Sequence, residues 1–442
     1  MQPLPEVSPS QSAQPAPPAA RRVIPIFDYD DFPDPPSSAG QGLPATVDNL
    51  GYLLKQYSIT VRFDVLKKRP MVDIPDFRST GENRDAVVLT YVEDLAIRHR
   101  MSTRRIAQNL LALADRSPVD PMARWIDSKP WDGKDRLSDF YDTVVPQEGY
   151  PVAFRNTLLR KWLLSIVAAT FKKRGFRARG ALTFQGDQGI GKTSWFKQLV
   201  SDDSLRDQTV KLGHAWDGGS KDARLSAIRH RIVELGELEG SFRREIAGLK
   251  AFLTEDFDKI RPPYGRVDAE YPRRTIFGAS VNESDFLLDA TGNSRFWTIA
   301  VSKLDYEHSI DMQQLFAQLK KDFEAGAKWH LDDEEERQLE TINQQHRHYG
   351  AIGEKIKASL DLSRKGLTSN PRDSAGDALR KIGIERPTNP QFKEANAILK
   401  ELLGGPKKIQ GVYRWYVPWD RTQLSAKDLY ANRSIDPESE DY

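Results

Sequence analysis

The chain has 442 residues, a formal net charge of +2 and no cysteine. Such a length suggests roughly two or three domains, and the balanced charge excludes a global basic field, so nucleic-acid binding must come from local patches or a channel. Disulfides, thiol catalysis and thiolate zinc sites are excluded as well. No apolar run approaches the ~20 residues of a membrane span and no basic-then-apolar leader opens the chain, so the expectation is a soluble, cytoplasmic protein without a membrane partner. Of seven histidines only His346 and His348 lie close together, in a run read as a solvated face.

Residues 1–45 are rich in Pro, Ala, Ser and Gln and lack apolar periodicity, so they read as a disordered tail. Within it, Val23 to Phe32 mixes acids with aromatics and reads either as a short docking peptide or as loosely packed tail. A small α+β domain is expected over 46–150. Val47 to Gln56 has helical spacing, Ile59 to Val65 and Pro70 to Ile74 alternate like strands, and helices follow at about 86–98 and 102–114, the second opened by Ser102 or Thr103. Trp131-Asp132-Gly133 is a turn with an aromatic anchor, suited to pinning one domain on the next.

The stretch 151–350 is expected to be an ATPase core. An amphipathic helix over 154–173 leads into an apolar strand (Ala181, Leu182, Phe184), a glycine-rich turn and a second helical segment. The turn, Gly186, Asp187, Gln188, Gly189, Ile190, Gly191, Lys192, Thr193, matches G-x-x-x-x-G-K-[ST] at every fixed position and sits between strand and helix as that motif requires. Glycines let backbone N–H groups curl around phosphate oxygens. Lys192 is assigned to the β- and γ-phosphates, the Thr193 hydroxyl to Mg²⁺, and Ser194 to the same cradle. ATP and Mg²⁺ are therefore the expected cofactors.

Downstream, Ile232-Val233-Glu234-Leu235-Gly236-Glu237 is an apolar run with acids at its far end, as a Walker B strand needs. Glu237 is favoured as the catalytic residue and Glu234 as its metal-side partner, both near the metal. Lys259, Arg261, Tyr264 and Arg266 stand on a rigid Pro-Pro turn that reads either as a loop touching a phosphate backbone and stacking on a base or as a plain surface turn. The strand ending in Val281-Asn282 offers Asn282 as a γ-phosphate sensor, and Arg295 precedes an aromatic strand on a turn suited to a neighbouring subunit's nucleotide. After an acidic helical region at 310–345, residues 351–420 read as helix, helix, basic turn and aromatic hairpin. That pattern is either a winged-helix-like module or a structural cap. Residues 421–442 read as a loose tail.

Trp131-Asp132-Gly133 with Arg136-Leu137, Gly186 to Thr193, Val233 to Leu238, Leu249 to Phe252, Arg261 to Arg266 and Thr291 to Trp297 together resemble the virulence-associated protein E family. These are P-loop ATPases of phages and mobile islands, similar to superfamily 3 replicative helicases. The resemblance is close over 115–300 and looser over 46–430. It implies an α/β, AAA+-like P-loop NTPase core between the small N-terminal domain and the C-terminal module. It also implies a hexameric ring around single-stranded or forked DNA in a bacterial host cytoplasm. One departure is Ser294-Arg295, where many relatives carry two consecutive arginines, leaving one finger candidate. Another is the tail at 1–45 in place of a primase domain, which points to a separate primase or polymerase as partner. The expected function is an ATP-driven DNA helicase or replication-initiation ATPase. The alternatives are a small-molecule phosphotransferase, which needs lid arginines and a closed acceptor pocket, and a nucleotide-switched binding protein, against which the paired glutamates weigh.

Overall fold

A computed structural model describes residues 27–38, 40–79, 83–172, 175–217, 220–236, 248–260, 269–282, 293–345, 351–409 and 411–420. They fall into two compact units, one ending at Arg62 and resuming over Pro70–Ser117, the other comprising Phe63–Arg69 and the chain from Pro118 onward.

The first unit contains α1 (Val47–Gln56), most of β1 (Thr60–Asp64) and of its partner β2 (Arg69–Asp73), α2 (Arg84–Arg98) and α3 (Ile106–Asp115). Thr46 caps α1 by accepting the Asn49 N–H at 3.1 Å, and Leu50, Leu53 and Leu54 bury one face of it. Ser102 opens a 3₁₀ turn, Thr103–Arg105, from which α3 continues. Residues 27–45 correct the expectation of disorder. Phe32 and Leu43 are 3% and 2% exposed within this unit's core. Phe27 stacks on His99 and the Tyr29 hydroxyl donates to the His99 carbonyl at 2.8 Å. Composition averaged over prolines and serines conceals the three aromatic rings that supply the burial. The expected tail residues 1–26 and 421–442 lie outside the described residues.

The second unit begins with β3 (Pro118–Val119), α4 (Pro121–Ile126), α5 (Leu137–Asp142), β4 (Val144–Pro146) and α6 (Val152–Phe171). The turn at Trp131 is tied down by α11 (Met312–Glu324), whose Gln314 and Gln318 accept the N–H groups of Asp132 and Arg136 at 2.8 and 2.9 Å. Between them run β5 (Ala181–Gln185), α7 (Lys192–Gln198), α8 (Asp203–Thr209), β6 (Val210–His214), α9 (Lys221–Ile228) and β7 (Ile232–Leu235). The helical residues 248–253 (α10), β8 (Phe257–Ile260), β9 (Ala269–Pro272), β10 (Ile276–Val281) and β11 (Phe296–Leu304) follow, and α12 (Asp333–Gln345) succeeds α11.

Six strands form one sheet in the order β4-β11-β5-β10-β7-β6. All neighbours are parallel except β4, which runs antiparallel at the edge. Parallel strands covered on both faces need apolar side chains on both, and all five residues of β5 are buried. One face is covered by α6, whose Trp162, Leu163 and Ile166 are fully buried and whose indole N–H donates to the Phe277 carbonyl at 2.7 Å. The other packs Trp216, Phe252 and Phe277.

The C-terminal part has α13 (Ala351–Ala358), β12 (Arg372–Asp373), α14 (Ala375–Lys381), α15 (Asn389–Leu403), β13 (Lys407–Ile409) and β14 (Val412–Tyr416). Three antiparallel strands in the order β12-β14-β13 close a small core of Ile356, Leu379, Leu399 and Trp415.

Candidate active site

Strand register decides which residues meet. Gln185 of β5 lies beside Val281 of β10, Leu235 of β7 beside Ala279, and His214 of β6 beside Leu235. The carboxyl ends of four parallel strands therefore deliver Gly186, Gly213, Gly236 and Asn282 to one edge of the sheet. A cleft of about 600 Å³ opens there, lined by Gly191, Lys192, Thr193, Glu234, Asn282 and Tyr306 among others.

Its geometry is fixed by short polar contacts. The Lys192 ammonium donates to the carbonyls of Gly186 and Asp187 at 2.6 and 2.8 Å and to Asn282 Oδ1 at 2.8 Å. Thr193 Oγ1 donates to Glu234 Oε1 at 3.1 Å, and the Gly213 N–H donates to Glu234 Oε2 at 2.6 Å. Glu234 is wholly buried and Lys192 only 7% exposed. Two glycines of the loop are sterically required. A Cβ on Gly186 would come within 2.4 Å of the Val301 carbonyl, and one on Gly191, at φ +92°, within 2.3 Å of the Tyr306 ring.

Lys192, Thr193, Glu234 and Asn282 are thus brought together, with Gln188, Gly189 and Ser194 on the same wall. Glu237, Arg261, Tyr264, Arg266, His346 and His348 lie outside the described residues. Lys259 sits on β8, exposed, and pairs with Glu270 across the β8–β9 ladder at 2.7 Å. Arg295 is not at the cleft. Phe296 pairs with Ala181, so Arg295 stands level with the start of β5, a strand length of roughly 16 Å from the glycine loop. It is half-buried, and its Nε has no hydrogen-bond partner among the described residues.

Two contributors carry no sequence signal. Tyr306 reaches Gly191 only because β11 lies next to β5, and Gly213 holds Glu234 only because β6 lies next to β7. Just beyond Gly213, burial and then the Lys211 charge push the His214 imidazole down to about 4.

A mixed α/β fold with a glycine loop, a lysine and a buried glutamate at the carboxyl edge of a parallel sheet defines the class of this chain. Residues 126–348, half of its length, match the virulence-associated protein E-like domain, and the chain belongs to that family. Among solved structures it is similar to the apo structure of the NrS-1 C terminal region (305-718), at 14% identity and a TM-score of 0.35, over 83% of this chain and 98% of that one. The A form apo structure of the NrS-1 C terminal region-CTR is similar at 16% identity and a TM-score of 0.34, over 84% and 99%. No curated protein matches.

Proposed function

We propose that this chain is a Mg²⁺·ATP-hydrolysing ATPase of phage or mobile-element DNA replication, a P-loop, AAA+-like machine that works as a ring on single-stranded or forked DNA. The observation that carries the reading is the convergence of Lys192, Thr193, Glu234 and Asn282 on one cleft. The residues suit the nucleotide. Gly186 and Gly191 let the loop pack closely on Val301 and Tyr306, a glycine-rich turn of this kind suits phosphate, and Lys192 lies against it. Thr193 and Glu234 would hold Mg²⁺, which supplies charge neutralisation on the β- and γ-phosphates when bound.

Within that frame Lys192 binds the transferring phosphate and Asn282 orients both Lys192 and the terminal phosphate. Glu237 takes a proton from the attacking water, with Glu234 beside the metal. Tyr306 offers its ring as a wall for the nucleotide. Arg295, remote from its own cleft, serves the nucleotide of the adjoining subunit. The 351–420 module, read as winged-helix-like, and residues 259–266 contact DNA, and a separate primase or polymerase supplies synthesis. ATP turnover of the full chain with and without single-stranded DNA, run alongside a mass measurement, tests the reading. DNA-stimulated hydrolysis by a hexamer is expected. A monomer whose ATP turnover ignores DNA but proceeds with a small-molecule acceptor would contradict it in favour of the phosphotransferase. Glu237→Gln is expected to retain ATP and stop turnover; normal turnover there with loss in Glu234→Gln would exchange the two roles.

A further inference from the structure

At the opposite edge of the same sheet lies a second cavity, of about 500 Å³, where the chain enters β5 and β10 of that sheet and β8 of the separate β8–β9 ladder. Its walls are largely apolar and partly aromatic. Phe176 is buried, whereas Phe257 is 53% exposed, an unusual placement for a phenyl ring at the mouth of a hollow. Four cations line the cavity, Lys172, Arg177, Arg273 and Arg274, and two of them, Lys172 and Arg274, concern the occupant. Lys172 lies over the Trp329 ring, and neither has a carboxylate partner among the described residues. One acid faces it too. Asp256 uses Oδ2 to accept from Arg177 Nε at 2.8 Å, while its Oδ1 is buried with no hydrogen-bond partner among the described residues.

The exposed ring and the two cations together specify an occupant. The occupant needs a flat apolar body to lie against phenyl rings and a negative charge for Lys172 and Arg274. We infer that this cavity is a second nucleotide-binding site, separate from the Lys192 cleft, which seats one nucleotide with its base against Phe257 and its phosphate toward Arg274 and Lys172. Stacking on an aromatic face is indifferent to base sequence, so any nucleobase suits the Phe257 ring. The neighbouring Arg273 takes no part, because Asp258, Glu255 and the Phe252 carbonyl already hold its guanidinium. The chemistry is shared by a free mononucleotide and by one residue of a single strand.

Photocrosslinking of the full chain separates these sources. The probes are 5-iodo-deoxyuridine monophosphate and a twelve-residue single strand with one 5-iodouracil, each used with ATP present to fill the Lys192 cleft. Peptide mapping is expected to place the adduct within 172–177 or 256–257. Crosslinking by both probes, with mutual competition, assigns a mononucleotide site; crosslinking by the oligonucleotide alone assigns a strand-binding site. Phe257→Ala is expected to lower the yield roughly tenfold at unchanged melting temperature, since stacking of a base is worth about that factor or more. Arg274→Gln, a second variant that leaves the rings intact, is expected to lower it as well, and Lys192→Ala to leave it unchanged. Adducts confined to other peptides, or yields that neither Phe257→Ala nor Arg274→Gln alters, overturn the inference. Loss in Lys192→Ala does the same, by making the first cleft the source of the signal.

Discussion

The two edges of the central sheet use similar residues to opposite ends. At the carboxyl edge, Lys192 is held by two loop carbonyls and the Asn282 amide oxygen, and Glu234 by a threonine hydroxyl and a backbone N–H. At the amino edge, Arg231 is fully buried and bound to Asp120 and to the carbonyls of Ala169 and Arg274. Arg273, 1% exposed, is matched by Asp258 and Glu255 and lies over the Phe252 ring at 4.4 Å. A charge that meets an opposite charge in the interior serves the fold, because removing either member leaves the other stranded. One beside an open cleft can direct its field at a ligand. Burial alone does not separate structural from functional charges here; the open cleft beside Lys192 and Glu234 does.

The sharpest way to break this distinction is at Lys192. Lys192→Ala is expected to reduce ATP turnover to background and weaken nucleotide binding while the melting temperature stays within a few degrees, as read by phosphate release and thermal unfolding. A large drop in melting temperature with hydrolysis retained would put Lys192 among the structural charges. Arg273→Ala is the mirror experiment. Loss of one member of a buried ion pair is expected to cost about 3–5 kcal/mol of stability, measured by urea unfolding, and to act on turnover only through the amount of folded protein. A smaller effect belongs to His214. Its proton is bound near 6.5 when unfolded and near 4 when folded, so between those values the unfolded chain holds more protons. Stability is therefore full above pH 6.5 and falls as pH drops toward 4, by on the order of 3 kcal/mol. His214→Asn should flatten the melting-temperature profile across that window; an unchanged slope would assign the acid sensitivity elsewhere.

Much of the cleft was legible because its chemistry is local. The glycine spacing before Lys192 and Thr193, the acid in β7 and the amide after β10 all follow from strand-then-turn patterns. What pairing across the sheet creates was not legible. Tyr306, just past β11, meets Gly191 in the loop after the neighbouring β5, and Asp120 meets Arg231 from 111 positions away. The helices α1, α14 and α15 could be read from apolar spacing, whereas the packing of residues 27–45 could not, because a few aromatic rings among prolines decide it. The run after Asp311 reads as acidic and helical, yet α11 turns Gln313, Gln314 and Gln318 inward to hold the backbone around Ile126, Asp132 and Arg136.

Arg295 joins the two edges. It stands at the amino edge and, among the described residues, has neither the carboxylate that marks the structural arginines there nor a partner for its Nε. If it serves the nucleotide of an adjoining copy, Arg295→Ala is expected to lower turnover by about 10³–10⁵ while sparing ATP affinity. Mixing two inactive proteins, Lys192→Ala and Arg295→Ala, measures that claim most directly. In a mixed ring some interfaces pair an intact glycine loop with an intact Arg295, so partial ATP hydrolysis should return in proportion to those interfaces. Turnover that stays at background in mixtures shown by mass to have exchanged subunits would contradict a site shared between neighbouring copies.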